Sequence, residues 1–249
     1  MEKSLFQKYL KNLLFINIET ISVTEHLVQL SPLMQQFWEK KARFSSHDEI
    51  PSTSEYYFQK AGIYAEFGRI IAIGTGYFHY DQTEKLSFRA KVLTNSDEKQ
   101  LLLEFKELVE EKFPPKNLRL VAHHGKEFDF PYLCRRMIVH RITLPPTLQL
   151  SGKKSWQIEH LDTMEMWRFG DEKRYTPLRL LATIFGFYDD QQHIEENWVN
   201  RAYYHEKNLL KILEHCLEEV ILTAKVFLRL LQLPDLAEEN IIRLPIPNR

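Results

Sequence analysis

The stretch LLFINIET, residues 13–20, decides the fold of this chain. Its first four residues are apolar, and a short apolar run of this kind is typical of a central strand that is covered on both faces. The apolar run ends at Asn17, and Glu19 follows two residues later. Because alternate residues of a strand project to the same side, we expect Asn17 and Glu19 to face one site at the end of a buried strand.

The segments after this stretch predict an insertion followed by further strands. Residues 21–62 are expected to form a helical insertion, with a helix near residues 33–44. The apolar patterns of residues 69–78 and 86–92, which are joined by a polar turn, predict two more strands. Together with the first strand, these would form an antiparallel meander.

The second half of the chain alternates between helical and strand-like patterns. A 3.6-residue period over residues 101–113 predicts an amphipathic helix that ends before two prolines. The remaining predicted elements are strands at 118–122 and 158–162, helices near Pro131, at 176–186 and at 204–231, and an extended tail at 233–249. This order implies an α/β fold with a mixed five-stranded sheet, an antiparallel meander followed by parallel strands, flanked by helices. We interpret residues 1–249 as one domain.

Composition and charge restrict the class of protein. The 249 residues are 44% hydrophobic, and 33 basic against 34 acidic residues leave a net charge of −1. No global field therefore attracts nucleic acid, and any such binding requires a local basic patch. Two distant cysteines, Cys134 and Cys216, favour reduced thiols over a disulfide framework. Because there is no signal-peptide pattern and no apolar run of membrane length, we expect a cytoplasmic protein with no membrane partner.

Two further polar motifs are expected to meet the first at one cleft. The motif HHGKEFD, residues 123–129, lies between a predicted strand and a helix, and HCLEE, residues 215–219, lies on the last long helix. Sites in such sheets tend to lie beyond the carboxyl ends of the central strands, and residues four apart on a helix share a face. Clustered carboxylates are the ligands that Mg²⁺ and Mn²⁺ prefer. Such a cleft suits two-metal hydrolysis of a phosphodiester, with a neighbouring side chain orienting the attacking water.

The motifs resemble those of a known family. NIET at 17–20, AHHGKEFDFPYLCRR at 122–136 and HCLEE at 215–219 look like motifs I, II and III of the predicted 3'-5' exonucleases related to the proofreading domain of family B DNA polymerases. The resemblance extends to YAEFG at 64–68, GKKSW at 152–156 and HLDTMEMW at 160–167. It implies a ribonuclease H-like fold and an activity that depends on four acidic residues and a tyrosine.

Carried over residue by residue, the resemblance implies site residues that match the family and others that depart from it. Glu19 and Asp129 match the acids of the family. Asn17 and Glu219 stand where Asp is expected, and His215 stands where Tyr is expected. The implied metal ligands are Asn17, Glu19, Asp129 and Glu219, and the implied catalytic residues are Glu19, Asp129, His215 and Glu219. The implied substrate contacts are Thr20, Phe128, Tyr132 and His124, the last in place of an Asn.

Several of these residues also have ordinary structural interpretations. His215 and Glu219 would fit an exposed i,i+4 pair on a polar helix face. Asp162 fits a structural acid at a strand end, with a place in the metal shell as the alternative. His123 and His124 are adjacent, but no further Cys or His set at ligand spacing accompanies them, so we reject a zinc site. Candidate contacts to phosphates and bases are Lys126, Arg135, Arg136, Lys153, Lys154, Arg174 and Trp156.

Two functions follow from the sequence. The first is a slowed, Mg²⁺- or Mn²⁺-dependent 3'-5' exonuclease that acts on single-stranded DNA ends, with DNA favoured over RNA. The alternative is a catalytically inactive exonuclease-like protein that binds nucleic acid. Asn17 is central to this choice, because it removes one negative charge from beside two divalent cations. A net loss of about 3 kcal/mol would correspond to roughly a hundredfold in rate or metal binding.

Overall fold

The computed structural model of the chain describes residues 3–45, 53–113, 117–171, 175–187 and 198–247. The strands are β1 (Leu13–Ser22), β2 (Gly68–Tyr80), β3 (Leu86–Thr94), β4 (Arg119–Ala122), β5 (Leu161–Asp162) and β6 (Ile241–Arg243). The α-helices are α1 (Lys3–Lys11), α2 (Pro32–Ser45), α3 (Thr53–Lys60), α4 (Glu98–Lys112), α5 (Asp129–Val139), α6 (Thr163–Arg168), α7 (Leu178–Ile184), α8 (Trp198–Tyr204) and α9 (Leu209–Leu230). Arg174, an expected phosphate contact, and residues 46–52 of the expected insertion lie outside the described residues.

β1 lies inside a mixed sheet whose strand order is β5-β4-β1-β2-β3-β6. The pairs β1–β2 and β2–β3 are antiparallel, whereas β4 runs parallel to β1 and β5 parallel to β4. This confirms the expected α/β sheet, with an antiparallel meander followed by parallel strands and with helices around it. The described sheet has six strands, one more than the five expected, because Ile241–Arg243 of the tail pairs with the outer edge of β3.

Alternate residues of β1 supply two separate cores. Leu14 and Ile16 pack in a cluster that includes residues of α4 and α5. Phe15 points to the other face, where its ring meets Phe227 of α9 edge-on at a centroid distance of 5.3 Å. Coverage on both faces explains why the strand begins as a continuous apolar run. Truncating a ring buried in this way costs about 3–5 kcal/mol of stability.

β1 continues past Asn17, where the sequence predicted its end. β2 has 13 residues and pairs with β1 as far as Ser22, with an irregularity between Glu19 and Thr20. On its other side, β1 pairs with β4 only through Leu13–Phe15. Beyond this short pairing, β1 has no neighbouring strand on that side within the described ranges. The polar residues of β1 lie along this stretch.

The last predicted strand, residues 158–162, is shorter than expected. Only Leu161–Asp162 pairs with β4. The backbone N–H of Leu120 instead donates a hydrogen bond to Nδ1 of His160 at 3.2 Å. An imidazole therefore takes the place of a strand partner on β4, and the paired strand is limited to two residues.

The predicted long helix at 204–231 is α9, which begins later than expected. α8 ends at Tyr204 and α9 begins at Leu209. Lys207 between them has a left-handed φ of 52°, and the side chain of Asn208 caps α9 by accepting a hydrogen bond from the N–H of Lys211. Among the described residues, none of the helices combines the length and the apolar character needed to cross a bilayer.

A glycine in β2 allows α9 to lie close to the sheet. Gly74 pairs with Asn17, and a Cβ atom at Gly74 would lie 2.8 Å from the carbonyl oxygen of Cys216 in α9. A side chain at this position would force the helix away from the strand. The glycine thereby allows residues 215–219 to approach the polar side chains of β1.

Candidate active site

α9 and β1 bring two predicted catalytic residues into contact. Nδ1 of His215 lies 2.8 Å from Oε1 of Glu19, and Nε2 of His215 lies 3.5 Å from Oε1 of Glu219. The imidazole therefore bridges two carboxylates, and its pair with Glu219 is not an ordinary surface pair. Burial disfavours a charged imidazole, but the hydrogen bond to Glu19 and the two nearby carboxylates together raise the pKa of His215.

The side chain of Asn17 lies between β1 and α9. Its Nδ2 atom is 3.4 Å from Oε1 of Glu19 and 3.7 Å from the sulfur of Cys216. The amide can donate to both groups, so Asn17 contacts the Glu19 carboxylate without needing a cation between them. An aspartate at this position would place a second negative charge beside Glu19 and would require a positive partner.

Glu219 is paired with Arg179, a residue that the sequence analysis did not identify. Nε of Arg179 lies 3.0 Å from Oε1 of Glu219. Arg179 belongs to α7, whose residues Leu178 and Leu181 pack against Leu222 of α9. The two members of the pair are 40 residues apart, so no local spacing in the sequence relates them. The guanidinium supplies to Glu219 the positive charge that a metal ion would otherwise supply.

Asp129 begins α5 and is buried beside β1. Its Oδ1 atom accepts a hydrogen bond of 3.0 Å from the backbone N–H of Ile18. Burial raises the pKa of Asp129 to about 8, and although the Ile18 hydrogen bond opposes this shift, the charges of Asp162 and Glu19 reinforce it. At neutral pH the carboxyl is therefore mostly protonated. A metal ligand must be deprotonated, so a cation that bound at Asp129 would have to displace this proton.

The loop at residues 123–126 is held in place by Asp162. The Asp162 carboxylate accepts hydrogen bonds from the backbone N–H groups of His124 at 2.9 Å and Lys126 at 3.1 Å. It also caps α6 by accepting from the N–H of Met164 at 2.9 Å. Backbone donors therefore occupy both of its oxygens. Asp162 therefore has the structural role that the sequence favoured over a place in the metal shell, and it is absent from the lining of both clefts described below.

His124 takes a backbone conformation that few residue types adopt readily. Its φ is 62°, in the left-handed region where Asn and His are found more often than most other residues. Its ring meets that of Tyr175 edge-on at 5.2 Å. Nδ1 of His124 is buried and has no hydrogen-bond partner among the described residues, although it lies 3.7 Å from Oε2 of Glu127. Nδ1 of His124 can therefore still donate or accept a hydrogen bond, depending on the tautomer.

These residues surround a cleft of about 260 Å³, which we term the carboxylate cleft. It is lined by Asn17, Ile18, His123, His124, Phe128, Asp129, Tyr175, Pro177, Leu178, Arg179 and Glu219. A second cleft of about 180 Å³, the side cleft, is lined by Glu19 and Thr20 among others. Ile18 and Phe128 line both clefts, so the two are neighbours that share a wall.

The structure separates the predicted substrate contacts. Thr20, His124 and Phe128 line one or both clefts. Tyr132, by contrast, is buried in the core, and its hydroxyl donates a hydrogen bond of 2.8 Å to the carbonyl oxygen of Gly62. The prediction that Tyr132 contacts substrate is therefore wrong, because the ring packs inward one helical turn after Phe128.

Two members of the predicted basic patch are paired with glutamates of the protein itself. Arg136 is buried and paired with Glu98, so it cannot contact a phosphate as expected. Lys126 is paired with an exposed glutamate of α6. The side chain of Lys154 lies 4.9 Å from the centroid of the exposed Trp156 ring. The candidate contacts that remain exposed are Arg135, Lys153, Lys154 and Trp156.

The expected metal ligands surround the clefts without forming a metal site. Within the described ranges, no three His, Cys, Asp or Glu side chains lie close enough together to hold a metal ion. The carboxylates of Glu19 and Glu219 face His215 and Arg179 instead. The prediction of a two-metal Mg²⁺ or Mn²⁺ centre therefore does not fit the residues as they stand. The clefts are lined instead by Arg179, by the half-buried ring of Phe128 and by polar side chains.

Comparisons with known proteins agree with the fold. A family described as "Predicted 3'-5' exonuclease related to the exonuclease domain of PolB" matches residues 63–241, a range that contains Asp129 and Glu219 but begins after Asn17 and Glu19. Among solved structures, the family B DNA polymerase from the hyperthermophilic archaeon Pyrobaculum calidifontis is similar, with a TM-score of 0.54 and 14% identity over 88% of this chain. At this identity the likeness shows the fold alone. The match covers 24% of the polymerase chain, so this chain spans about a quarter of its length. No curated protein sequence matches the chain.

Proposed function

The chain belongs to the family of predicted 3'-5' exonucleases related to the exonuclease domain of PolB, and we propose that it binds the end of a single-stranded nucleic acid without rapid hydrolysis. In this proposal the strand end occupies the carboxylate cleft and the side cleft. DNA is favoured over RNA because the family is related to a DNA polymerase domain. The protein acts by holding the end rather than by removing nucleotides from it.

One observation carries the proposal: each predicted acid is either paired with a side chain of the protein or protonated. Arg179 lies 3.0 Å from Glu219, and His215 lies 2.8 Å from Glu19. Burial keeps Asp129 mostly protonated at neutral pH. Two divalent cations bring four positive charges, and they require unpaired carboxylates to neutralise them. Arg179 already neutralises Glu219, His215 is paired with Glu19 and Asp129 holds a proton, so the drive to bind metal is weak.

The walls of the two clefts support binding of an unpaired strand. Phe128 stands between the clefts, where its ring can stack on a base while the next nucleotide continues past it. Arg179 lines the carboxylate cleft and can contact a phosphate. The ring of His124 keeps a nitrogen without a partner among the described residues. Bases in a duplex are already stacked and paired, so stacking on Phe128 favours a single strand.

A slow, metal-dependent 3'-5' exonuclease is the second candidate. Glu19 lines the side cleft and Asp129 lines the carboxylate cleft, and both acids match the family pattern. Asn17 still has a carbonyl oxygen, and binding of a cation would lower the pKa of Asp129. This candidate differs from the first in one measurable property, which is turnover in the presence of Mg²⁺ or Mn²⁺.

Binding and turnover can be measured on the same oligonucleotide. A single-stranded DNA labelled at its 5' end is titrated with the protein in EDTA and followed by fluorescence anisotropy. It is then incubated with excess protein and MgCl₂ or MnCl₂. We expect saturable, salt-dependent binding that is weaker for a duplex, with no shortening of the strand. Shortening of the labelled strand from its free 3' end with either metal would establish the exonuclease. Failure of the protein to bind any single strand would overturn both candidates.

A further inference from the structure

A separate cavity, of about 480 Å³, shares no lining residue with the two clefts. Thr75 and Tyr77 of β2 line it, and they pair across the sheet with Lys91 and Arg89 of β3. Alternate residues of a strand share a face, so Arg89 and Lys91 project to the side on which Leu93 packs in the core cluster with α4. We term this space the basic cavity.

The basic cavity concentrates positive charge in a chain whose net charge is close to zero. Lys11, Arg89, Lys91 and Lys112 line it, and no Asp or Glu is among its lining residues. None of these four side chains forms an ion pair within the described part of the chain. The net charge of the whole protein is only −1. The cavity is therefore a local region of positive potential with no compensating acid in its walls.

Helix ends explain only part of this charge. Lys11 and Lys112 are the last residues of α1 and α4, and a cation at the C-terminus of a helix is favoured by the helix dipole. No such effect accounts for Arg89 and Lys91, which lie within β3. In addition, Nε of Arg89 is buried and has no hydrogen-bond partner among the described residues. Buried donors are nearly always paired in folded proteins, and an anionic oxygen is the natural partner for this one.

The rest of the lining is apolar and partly aromatic. The rings of Tyr77 and Phe113 meet edge-on at 6.0 Å and form a corner of the cavity, while Leu14 and Leu108 contribute aliphatic surface. Pockets for small molecules commonly have volumes of about 300–1,000 Å³ and combine such apolar walls with a few convergent polar groups. A bare anion would leave this apolar surface unused. A ligand that carries both a phosphate and a flat ring would use both parts.

We infer that the basic cavity binds a small phosphorylated molecule with a flat ring, of the nucleoside monophosphate class. The phosphate lies against Arg89 and Lys91, and the base lies in the corner formed by Tyr77 and Phe113. Because the cavity and the carboxylate cleft have no lining residue in common, this inference does not depend on the proposed function.

Isothermal titration calorimetry tests the inference with three probes: adenosine 5'-monophosphate, adenosine and inorganic phosphate. We expect saturable binding of the monophosphate, with the other two probes binding at least tenfold more weakly. Arg89→Gln/Lys91→Gln should weaken monophosphate binding at least tenfold. The matched control, Lys40→Gln/Lys99→Gln, removes the same charge from exposed positions on α2 and α4 and should leave binding unchanged. Lys11→Gln/Lys112→Gln provides a second test at exposed helix ends, if the strand variant does not fold.

Three results would overturn the inference. One is the absence of saturable monophosphate binding to a folded wild-type protein. Another is equal affinity for phosphate and for the monophosphate, which would show that the apolar corner is not used. The third is equal loss of binding in the matched control, which would assign the effect to overall charge. If the strand variant loses oligonucleotide binding while the monophosphate does not bind, the basic cavity belongs to the track of a nucleic-acid strand instead.

Discussion

The imidazole of His215 lies 2.8 Å from the carboxylate of Glu19, and this contact joins α9 to β1 at the centre of the predicted catalytic motifs. The other nitrogen of the ring lies 3.5 Å from Glu219, and Glu219 in turn forms an ion pair with Arg179. A chain of alternating acidic and basic side chains therefore occupies the region where the family pattern would place acids around metal ions. The acids remain, but Glu19 and Glu219 are paired with side chains of the protein.

Replacing Phe128 tests whether the two clefts hold an unpaired strand. Stacking of a base on an aromatic ring contributes about 1–3 kcal/mol, so Phe128→Ala should weaken binding of a single-stranded oligonucleotide roughly tenfold or more. Fluorescence anisotropy measures the affinity. Phe37→Ala is the matched control, because it makes the same chemical change at an exposed ring on α2 that lines neither cleft, and it should leave affinity unchanged. Equal effects of the two substitutions would count against stacking on Phe128.

Asp162→Ala should lower both stability and oligonucleotide affinity. The substitution removes the cap of α6 and leaves the N–H groups of His124 and Lys126 without their acceptor, so we expect a loss of about 2 kcal/mol in the free energy of unfolding. Asp97→Ala removes a helix cap far from the clefts and should cost about 1 kcal/mol with no change in affinity. Urea unfolding and anisotropy separate the two effects. Unchanged affinity in the Asp162 variant would show that the loop does not contact the strand.

Periodicity and chain order were sufficient to predict the central sheet, because burial on both faces imposes the apolar run on β1 and a 3.6-residue period on α4. The pairing of β6 with β3 was not predictable, because no pattern in three residues of an extended tail indicates which strand they pair with. The break before α9 depends on the backbone conformation of Lys207, which is not a residue that marks turns. Local pattern therefore predicts elements better than it predicts their ends.

The candidate site was predicted in part for the same reason. Spacing places His215 and Glu219 on one face of a helix, and chain order places Glu19 and Asp129 near each other. Arg179 could not be found in this way, because its pairing with Glu219 depends on how α7 packs on α9. Tyr132 was misassigned because its motif suggests a contact, whereas its burial is a property of the packed structure.

The buried carboxyl of Asp129 should make stability depend on pH. Its pKa of about 8 in the folded protein lies well above the ordinary value near 4 in the unfolded chain. Between these values the folded state binds the extra proton, so the free energy of unfolding falls as pH rises, by up to about 1.4 kcal/mol per pH unit. Asp129→Asn keeps an acceptor for the N–H of Ile18 but cannot ionise.

Urea unfolding at pH 5 and pH 8 measures this contribution. The stability of Asp129→Asn relative to wild type should increase as pH rises from 5 to 8, because only the wild-type protein releases the Asp129 proton on unfolding over this range. Titration of His215 and other groups is common to both proteins and cancels in the difference. A difference that stays constant from pH 5 to pH 8 would show that Asp129 is already ionised in the folded state.

The most direct test of the central claim is the rate at which a 5'-labelled single-stranded DNA is shortened in MgCl₂ or MnCl₂ by the wild-type protein and by Asn17→Asp/Glu219→Asp. Asn240→Asp/Glu214→Asp makes the same chemical changes outside the two clefts and serves as the control. We predict that wild type and control bind the strand without shortening it. The cleft variant, Asn17→Asp/Glu219→Asp, should shorten it in the presence of metal at a rate at least a hundredfold above background. Wild-type protein that shortens the strand as fast as the cleft variant would contradict the account.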